Sequence, residues 1–289
     1  MKTRCPLTWR GFLALAVLTV GARGETEKKA YPEYSVPGSV VRVLPRTVDD
    51  REYQLIIGLP ADFEKSPDKH YPVVFVTDGY WDFLKINSIK GSLVYDKTVP
   101  DFITVGIGYA GEDLDYGQLR CRDLSPVVFP DMGPKTSGQA GEFLDLIEKT
   151  IIPLIEREYR ADPERRVLAG ASMGGLFAIY AMYTKPELFR AYIAATPATI
   201  IGGDWILRYE DEFVKSGKTL NARLYFTVGE NEAADFRGSI ERFERHLAQR
   251  KFPGLTYTFR KIEDEDHGSV QWESYVRGLR FAFADDMKK

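Results

Sequence analysis

Apolar and polar positions fall into blocks along the chain, and each block predicts an element. "SVVRVLPRTV" and "REYQLIIGLP" read as two strands with Asp49-Asp50 as the turn between them. The second alternates poorly, which predicts burial on both faces. "YPVVFVTDG", bounded by Pro72 and Gly79, and "DFITVGIGY" are the third and fourth strands, with a helix over "WDFLKINSIKGSLVY" between them. Residues 111–138 are polar and rich in Gly, Asp and Pro, so they read as a long surface loop of the kind that carries function. Phe143, Leu144, Ile147, Ile151, Leu154 and Ile155 then recur at helical spacing, with Pro153 as the expected kink.

Strand and helix alternate from there on. "RRVLAGAS", "RAYIAATP", "ARLYFTVGE" and "LTYTFRKIE" are strands. "GLFAIYAMY" is apolar all round and predicts a helix buried within the fold. Phe236, Ile240, Phe243 and Leu247 mark an amphipathic helix, and "SVQWESYVRGLRFAF" is the last. The fold class is α/β: a mainly parallel central sheet, antiparallel N-terminal strands, and helices on both faces.

The N-terminus departs from this pattern. Lys2, Arg4 and Arg10 precede an uncharged run from Gly11 to Ala22, followed by small residues and the polar "ETEKK". This layout predicts a signal peptide over 1–24 and a periplasmic or secreted protein, with 25–289 as a single domain and no membrane span in the mature chain. Residues 1–24 hold four of the 39 basic and none of the 42 acidic residues, so the remainder carries a formal charge of −7. Such a balance argues against nucleic acid as a partner. Cys121 is then the sole cysteine, which leaves no internal disulfide and predicts a packed or partly exposed thiol.

Gly170-Ala171-Ser172-Met173-Gly174 fits the G-x-S-x-G elbow, in which a sharp strand-to-helix turn presents a serine oxygen clear of the backbone. A serine hydroxyl needs a base, and the chain offers only His70, His246 and His267. His70 precedes the serine and reads as a surface residue. His246 lies off the apolar stripe of its helix and reads as solvated. His267 follows the last strand, where a doubly wound sheet gathers its catalytic groups. Glu232, with Glu230 second and Asp235 third, is the candidate acid after the strand "LYFTVG". The N–H groups of Met173 and Tyr80 are the candidate oxyanion donors.

These residues and their surroundings resemble the putative esterase family of α/β-hydrolases, which includes esterase D, feruloyl and acetylxylan esterases, ferri-siderophore esterases and mycolyltransferases. The resemblance runs over most of residues 35–285. It rests on "YPVVFVTDG", "RCRDLSP", "IIPLIEREYRADPERRVLAGASMGGLFAIYAMYTKPELFRAYIAATP", "TVGENE" and "EDHGSV". It implies an α/β-hydrolase fold and a Ser172–Glu232–His267 triad. It further implies an acyl-enzyme mechanism without metal or organic cofactor. "RCRDLSP" resembles the R-x-R-D-x-T-P loop of the branch with the siderophore esterases. Arg120 and Arg122 would there meet an anionic ferri-siderophore, or else pair with loop carboxylates such as Asp123. Tyr80, Trp81 and Trp205 would supply aromatic surface. Thr196-Pro197-Ala198 replaces the Ser-Pro-Ser of many relatives, and Ala171 a larger residue. A carbohydrate esterase acting on feruloyl or acetylated glycan esters, an acyltransferase, and a non-catalytic binding protein are the competing readings.

Overall fold

In the computed structural model, residues 35–47 and 51–288 are described. The expected leader over 1–24 and the turn at Asp49-Asp50 lie outside them. The chain divides into two units, Met1–Ser35 and Val36–Lys289, and the elements of the described residues given below belong to the second.

Eight strands form one sheet: β1 Ser39–Val43, β2 Tyr53–Gly58, β3 Tyr71–Val76, β4 Ile103–Tyr109, β5 Ala161–Ala171, β6 Ala191–Ala195, β7 Ala222–Gly229 and β8 Leu255–Ile262. Their spatial order is β1-β2-β4-β3-β5-β6-β7-β8. β1 and β2 run antiparallel, as do β2 and β4, and every other pairing is parallel. β2 is not buried on both faces. Tyr53, Leu55 and Ile57 are buried on one face while Gln54 and Ile56 on the other are partly exposed.

The helices are α1 Gly79–Tyr95, α2 Tyr116–Leu124, α3 Ala140–Leu146, α4 Ile152–Tyr159, α5 Met173–Thr184, α6 Ile201–Lys215, α7 Ala234–Arg250 and α8 Val270–Ala282. Side chains alternate across a strand, so β3 feeds two cores. Val74 and Val76 pack with Ile86 of α1 and Tyr275 and Leu279 of α8. Val73 and Phe75 belong to the opposite core with Phe143 of α3, Phe177 of α5 and Phe243 of α7.

Three elements differ from the expected pattern. The segment 111–138 contains α2, started by the Asp115 carboxylate, which accepts the Gln118 N–H at 3.0 Å. Around Pro153 the chain does not break but forms a π-helical turn over Ile147–Ile151 before α4. Proline has no N–H to give to the preceding turn, and a widened turn absorbs that loss. Helix α6 carries no sequence expectation at all. Its first turn bends through Gly202, Gly203 and Asp204, all at positive φ.

β3 sends its successors to opposite sides, β4 on one flank and β5 on the other. The carboxyl ends of β3 and β5 therefore open onto the crevice where α/β sheets bind ligands. Ser172 follows β5, and Asp78 to Tyr80 follow β3.

Candidate active site

The elbow is built by close approach. Ser172 holds φ 56° and ψ −117° between β5 and α5. Its N–H donates to Ala195 O at 2.9 Å, and its carbonyl accepts the N–H groups of Leu176 at 3.0 Å and Ala198 at 2.9 Å. A Cβ at Gly170 would sit 2.4 Å from Gly174 O, and one at Gly174 would sit 2.2 Å from Thr77 Oγ1. Only glycine permits strand, helix and the end of β3 to meet there.

Ser172 and His267 line one cleft of about 320 Å³, together with Asp78, Trp81, Asp82, Lys85, Arg120, Gly268 and Gln271. Larger hollows, of about 620 Å³ beside Lys185 and about 700 Å³ beside Phe63, contain neither residue. His267 stands between β8 and α8, and its Nδ1 lies 2.9 Å from Glu232 Oε2. The second Glu232 oxygen accepts the Thr196 hydroxyl. Phe236 meets the imidazole edge-on with 5.1 Å between centroids, and Gln271 Nε2 donates to His267 O at 3.1 Å.

Of the three candidate acids, Glu232 is the one in contact with His267. Glu230 is half-buried and pairs with Lys261 at 3.1 Å, a contact that lowers its pKa. Asp235 is exposed, and its carboxylate accepts the N–H of Phe236. His70 is exposed, as expected. His246 is not simply solvated: its Nδ1 lies 3.4 Å from the fully buried Glu210. Met173 is the first residue of α5 and Tyr80 the second of α1. Their N–H groups belong to the set that helix starts leave without intrahelical partners.

The proposed binding residues separate. Trp81 and Arg120 line the cleft. Arg120 forks onto Asp78, with Nε at 2.7 Å and a terminal nitrogen at 3.0 Å, and lies 5.7 Å over the Trp81 ring. Burial raises the pKa of Asp78 against the pull of Arg120. Burial opposes the charge of Arg120, but Asp78 outweighs it and the pKa rises. Arg122 lies outside the cleft lining and forks onto the fully buried Asp123, which also accepts the Tyr53 hydroxyl at 2.8 Å. Trp205 too lies outside it, stacked on Tyr209 at 4.6 Å. Cys121 is a half-buried free thiol whose pKa burial raises.

Sequence reasoning missed Lys85 and Gln271. Lys85 Nζ bridges Asp82 Oδ1 at 2.6 Å and Gln271 Oε1 at 2.5 Å, joining α1 to α8. The Tyr275 hydroxyl donates to the other Asp82 oxygen at 2.5 Å. The i, i+3 spacing of Asp82 and Lys85 was a visible signal; the partner on α8, almost two hundred residues on, was not. Among the described residues no helix is long and apolar enough to cross a membrane.

The family model described as "Putative esterase" matches residues 47–276. Ferri-bacillibactin esterase BesA of Bacillus subtilis is 28% identical over 270 residues, covering 88% of this chain and 92% of its own. The siderophore enterobactin esterase of Emericella nidulans is 28% identical over 271 residues, covering 80% and 89%. Among solved structures, the BES protein from Bacillus cereus superimposes with a TM-score of 0.77 at 28% identity, covering 88% of this chain and 99% of that one. The chain belongs to the putative esterase family and is a serine ester hydrolase with the α/β-hydrolase fold.

Proposed function

We propose that the protein hydrolyses an ester-linked siderophore outside the cytoplasm, through an acyl-enzyme on Ser172. The observation that carries the mechanism is the 2.9 Å contact between Glu232 and His267 Nδ1 in the cleft that contains Ser172. Glu232 holds the Nδ1–H, so Nε2 is the free basic nitrogen. Ser172 Oγ attacks the ester carbonyl carbon and its proton passes to His267 Nε2. The oxyanion receives the N–H groups of Met173 and Tyr80. The C–O bond to the alcohol then breaks, and that oxygen takes the proton from Nε2. Water attacks the acyl-enzyme, its proton goes to Nε2, and Ser172 leaves by taking that proton back. The carboxylic acid product is released, and the cycle uses no metal or organic cofactor.

The siderophore assignment is supported by the two curated relatives named for such esters. It is also supported by an aromatic cluster around Trp81, which lines the cleft. Tyr80 and Trp81 are 57% and 44% exposed, and both rings meet Tyr116 with centroids 5.4 and 5.5 Å apart. Export is supported by the composition of residues 1–24.

The test is a hydrolysis panel on the mature protein beside Ser172→Ala. It holds a tricatecholate triester with and without iron, a feruloyl ester, acetylated xylan and 4-nitrophenyl esters. The siderophore ester should give the highest kcat/KM, and Ser172→Ala should lose about 10³-fold or more. A feruloyl or acetyl-glycan ester as the best substrate would move the assignment to carbohydrate esters. Undiminished turnover by Ser172→Ala would sink the mechanism. Protein recovered from outside the cytoplasm should begin near Glu25; an intact Met1 there would overturn the export reading.

A further inference from the structure

Glu232 and Phe236 hold the imidazole of His267, yet that side chain is 44% exposed. The backbone before it offers little support. β8 lies at the edge of the sheet, and only Ile262 of its residues is buried. A strand with so few buried contacts leaves the turn that follows it weakly fixed. The α8 side of the turn is anchored more firmly. Gln271, in the first turn of α8, donates its Nε2–H to His267 O at 3.1 Å, and its Oε1 accepts from Lys85 Nζ at 2.5 Å. Lys85 pairs with Asp82 Oδ1 at 2.6 Å, and Asp82 Oδ2 accepts the hydroxyl of the fully buried Tyr275 at 2.5 Å. Polar contacts therefore run without a gap from the core to the carbonyl of the candidate base.

Spacing makes the connection possible. Asp82 and Lys85 are three apart on α1, and Gln271 and Tyr275 four apart on α8, so each pair shares a helix face. The amide at 271 is matched to both of its partners. A carbonyl needs a donor and an ammonium needs an acceptor, and glutamine supplies one of each. Glutamate would serve Lys85 alone, and an apolar side chain would serve neither. Because α1 opens at Gly79, one residue before Tyr80, the same contacts tie the helix of the candidate oxyanion donor to the turn of the candidate base.

Resting on the Ser172–Glu232–His267 reading, we infer that Gln271, itself set by Lys85, is a positioning residue for the base. It holds the His267 turn so that Nε2 stays within reach of Ser172 Oγ, and it acts through His267 rather than on the ester. Small displacements of a reacting group lower the rate steeply, so the hydrogen bond to His267 O matters to turnover more than to folding.

The experiment compares Gln271→Met and Gln271→Glu with the parent, each alone and together with His267→Ala. Steady-state kinetics are measured on 4-nitrophenyl acetate and 4-nitrophenyl butyrate, and thermal unfolding on every variant. Gln271→Met should lower kcat about tenfold for both esters while KM stays within about twofold. Gln271→Glu should lose kcat to a similar degree with a melting temperature near the parent's, because its carboxylate keeps Lys85 but cannot donate to His267 O. Combined with His267→Ala, either substitution should change the residual turnover by less than about twofold, since the group being positioned is gone. A loss confined to KM, or one that differs between the two esters, would make Gln271 a substrate contact and overturn its positioning role. Equal losses with and without His267, or parental kcat in Gln271→Glu, would overturn it too. If His267→Ala keeps parental turnover, the triad reading fails and the role of Gln271 with it. If His267→Ala is inactive while Gln271→Met keeps parental kcat, the role of Gln271 fails alone.

Discussion

Ser172 sits at φ 56°, where a residue with a side chain is strained by about 1–3 kcal/mol. The surrounding hydrogen bonds and the glycines at 170 and 174 hold it there, and the result is a serine that lines the same cleft as His267. The two neighbouring glutamates show how position decides chemistry. Glu232 is buried between Thr196 and His267, whereas Glu230 faces solvent and Lys261. Glu232→Gln should therefore lower kcat by about 10²–10⁴, because an amide no longer favours the imidazolium. Glu230→Gln should stay within about twofold of the parent. Steady-state kinetics on both variants check this, and equal losses in the two would exclude a special role for Glu232. The nucleophile and base candidates were legible because G-x-S-x-G has its own spacing and only three histidines compete. The choice between Glu230 and Glu232 was not, because it depends on which way two side chains of one short loop turn. Arg122 was placed at the substrate by the resemblance of its loop, with pairing to Asp123 as the alternative, and that pairing is the one found; Trp205, expected to supply aromatic surface, is stacked on Tyr209.

The elements that could be read from the sequence are those with a strong apolar period or a continuous apolar run, such as β3, α5 and α7. Helix α2 was not, since only Asp123 and Leu124 at its end are buried and no apolar stripe marks it. It is defined by its start instead: Asp115 accepts from Gln118, satisfying one of the N–H groups that open a helix. α6 escaped because it is entered through Gly202-Gly203-Asp204, which in the sequence reads as a loop and in the structure adopts positive φ. The missed α2 has consequences for the cleft, since it carries Arg120 and Tyr116. Asp115→Ala should cost about 1 kcal/mol of helix stability. Hydrogen exchange of the α2 amides should accelerate about fivefold where local opening governs it, with the β5 amides unchanged. Unchanged exchange in α2 would show that packing of Tyr116 and Leu124, not the cap, holds the helix.

On the scale of the whole molecule, the sheet divides the protein into two cores, and one of them encloses a charge far from the cleft. Glu210 of α6 is fully buried, with His246 Nδ1 at 3.4 Å and Arg250 Nε at 3.6 Å, both on α7. The Tyr183 hydroxyl of α5 is buried nearby, and Asp211 of α6 takes the other side of His246 and Arg250. Burial raises the Glu210 pKa above its ordinary 4.5, and His246, Tyr183 and Arg250 lower it only in part. A carboxyl with a raised pKa in the folded state favours folding while it is protonated. Its contribution is fully present below the ordinary value and is lost as the pH climbs through the folded-state value. Glu210 therefore subtracts stability progressively as pH rises from about 4.5, opposite to a carboxylate held by a good ion pair. Glu210→Gln keeps the shape and removes the ionisation. Thermal unfolding of the two proteins should nearly coincide at about pH 4.5 and diverge toward neutral pH, with the glutamine variant the more stable. A gap that does not change with pH would mean that Glu210 does not titrate in this range. A gap of the opposite sign would mean that His246 and Arg250 outweigh the cost of burial.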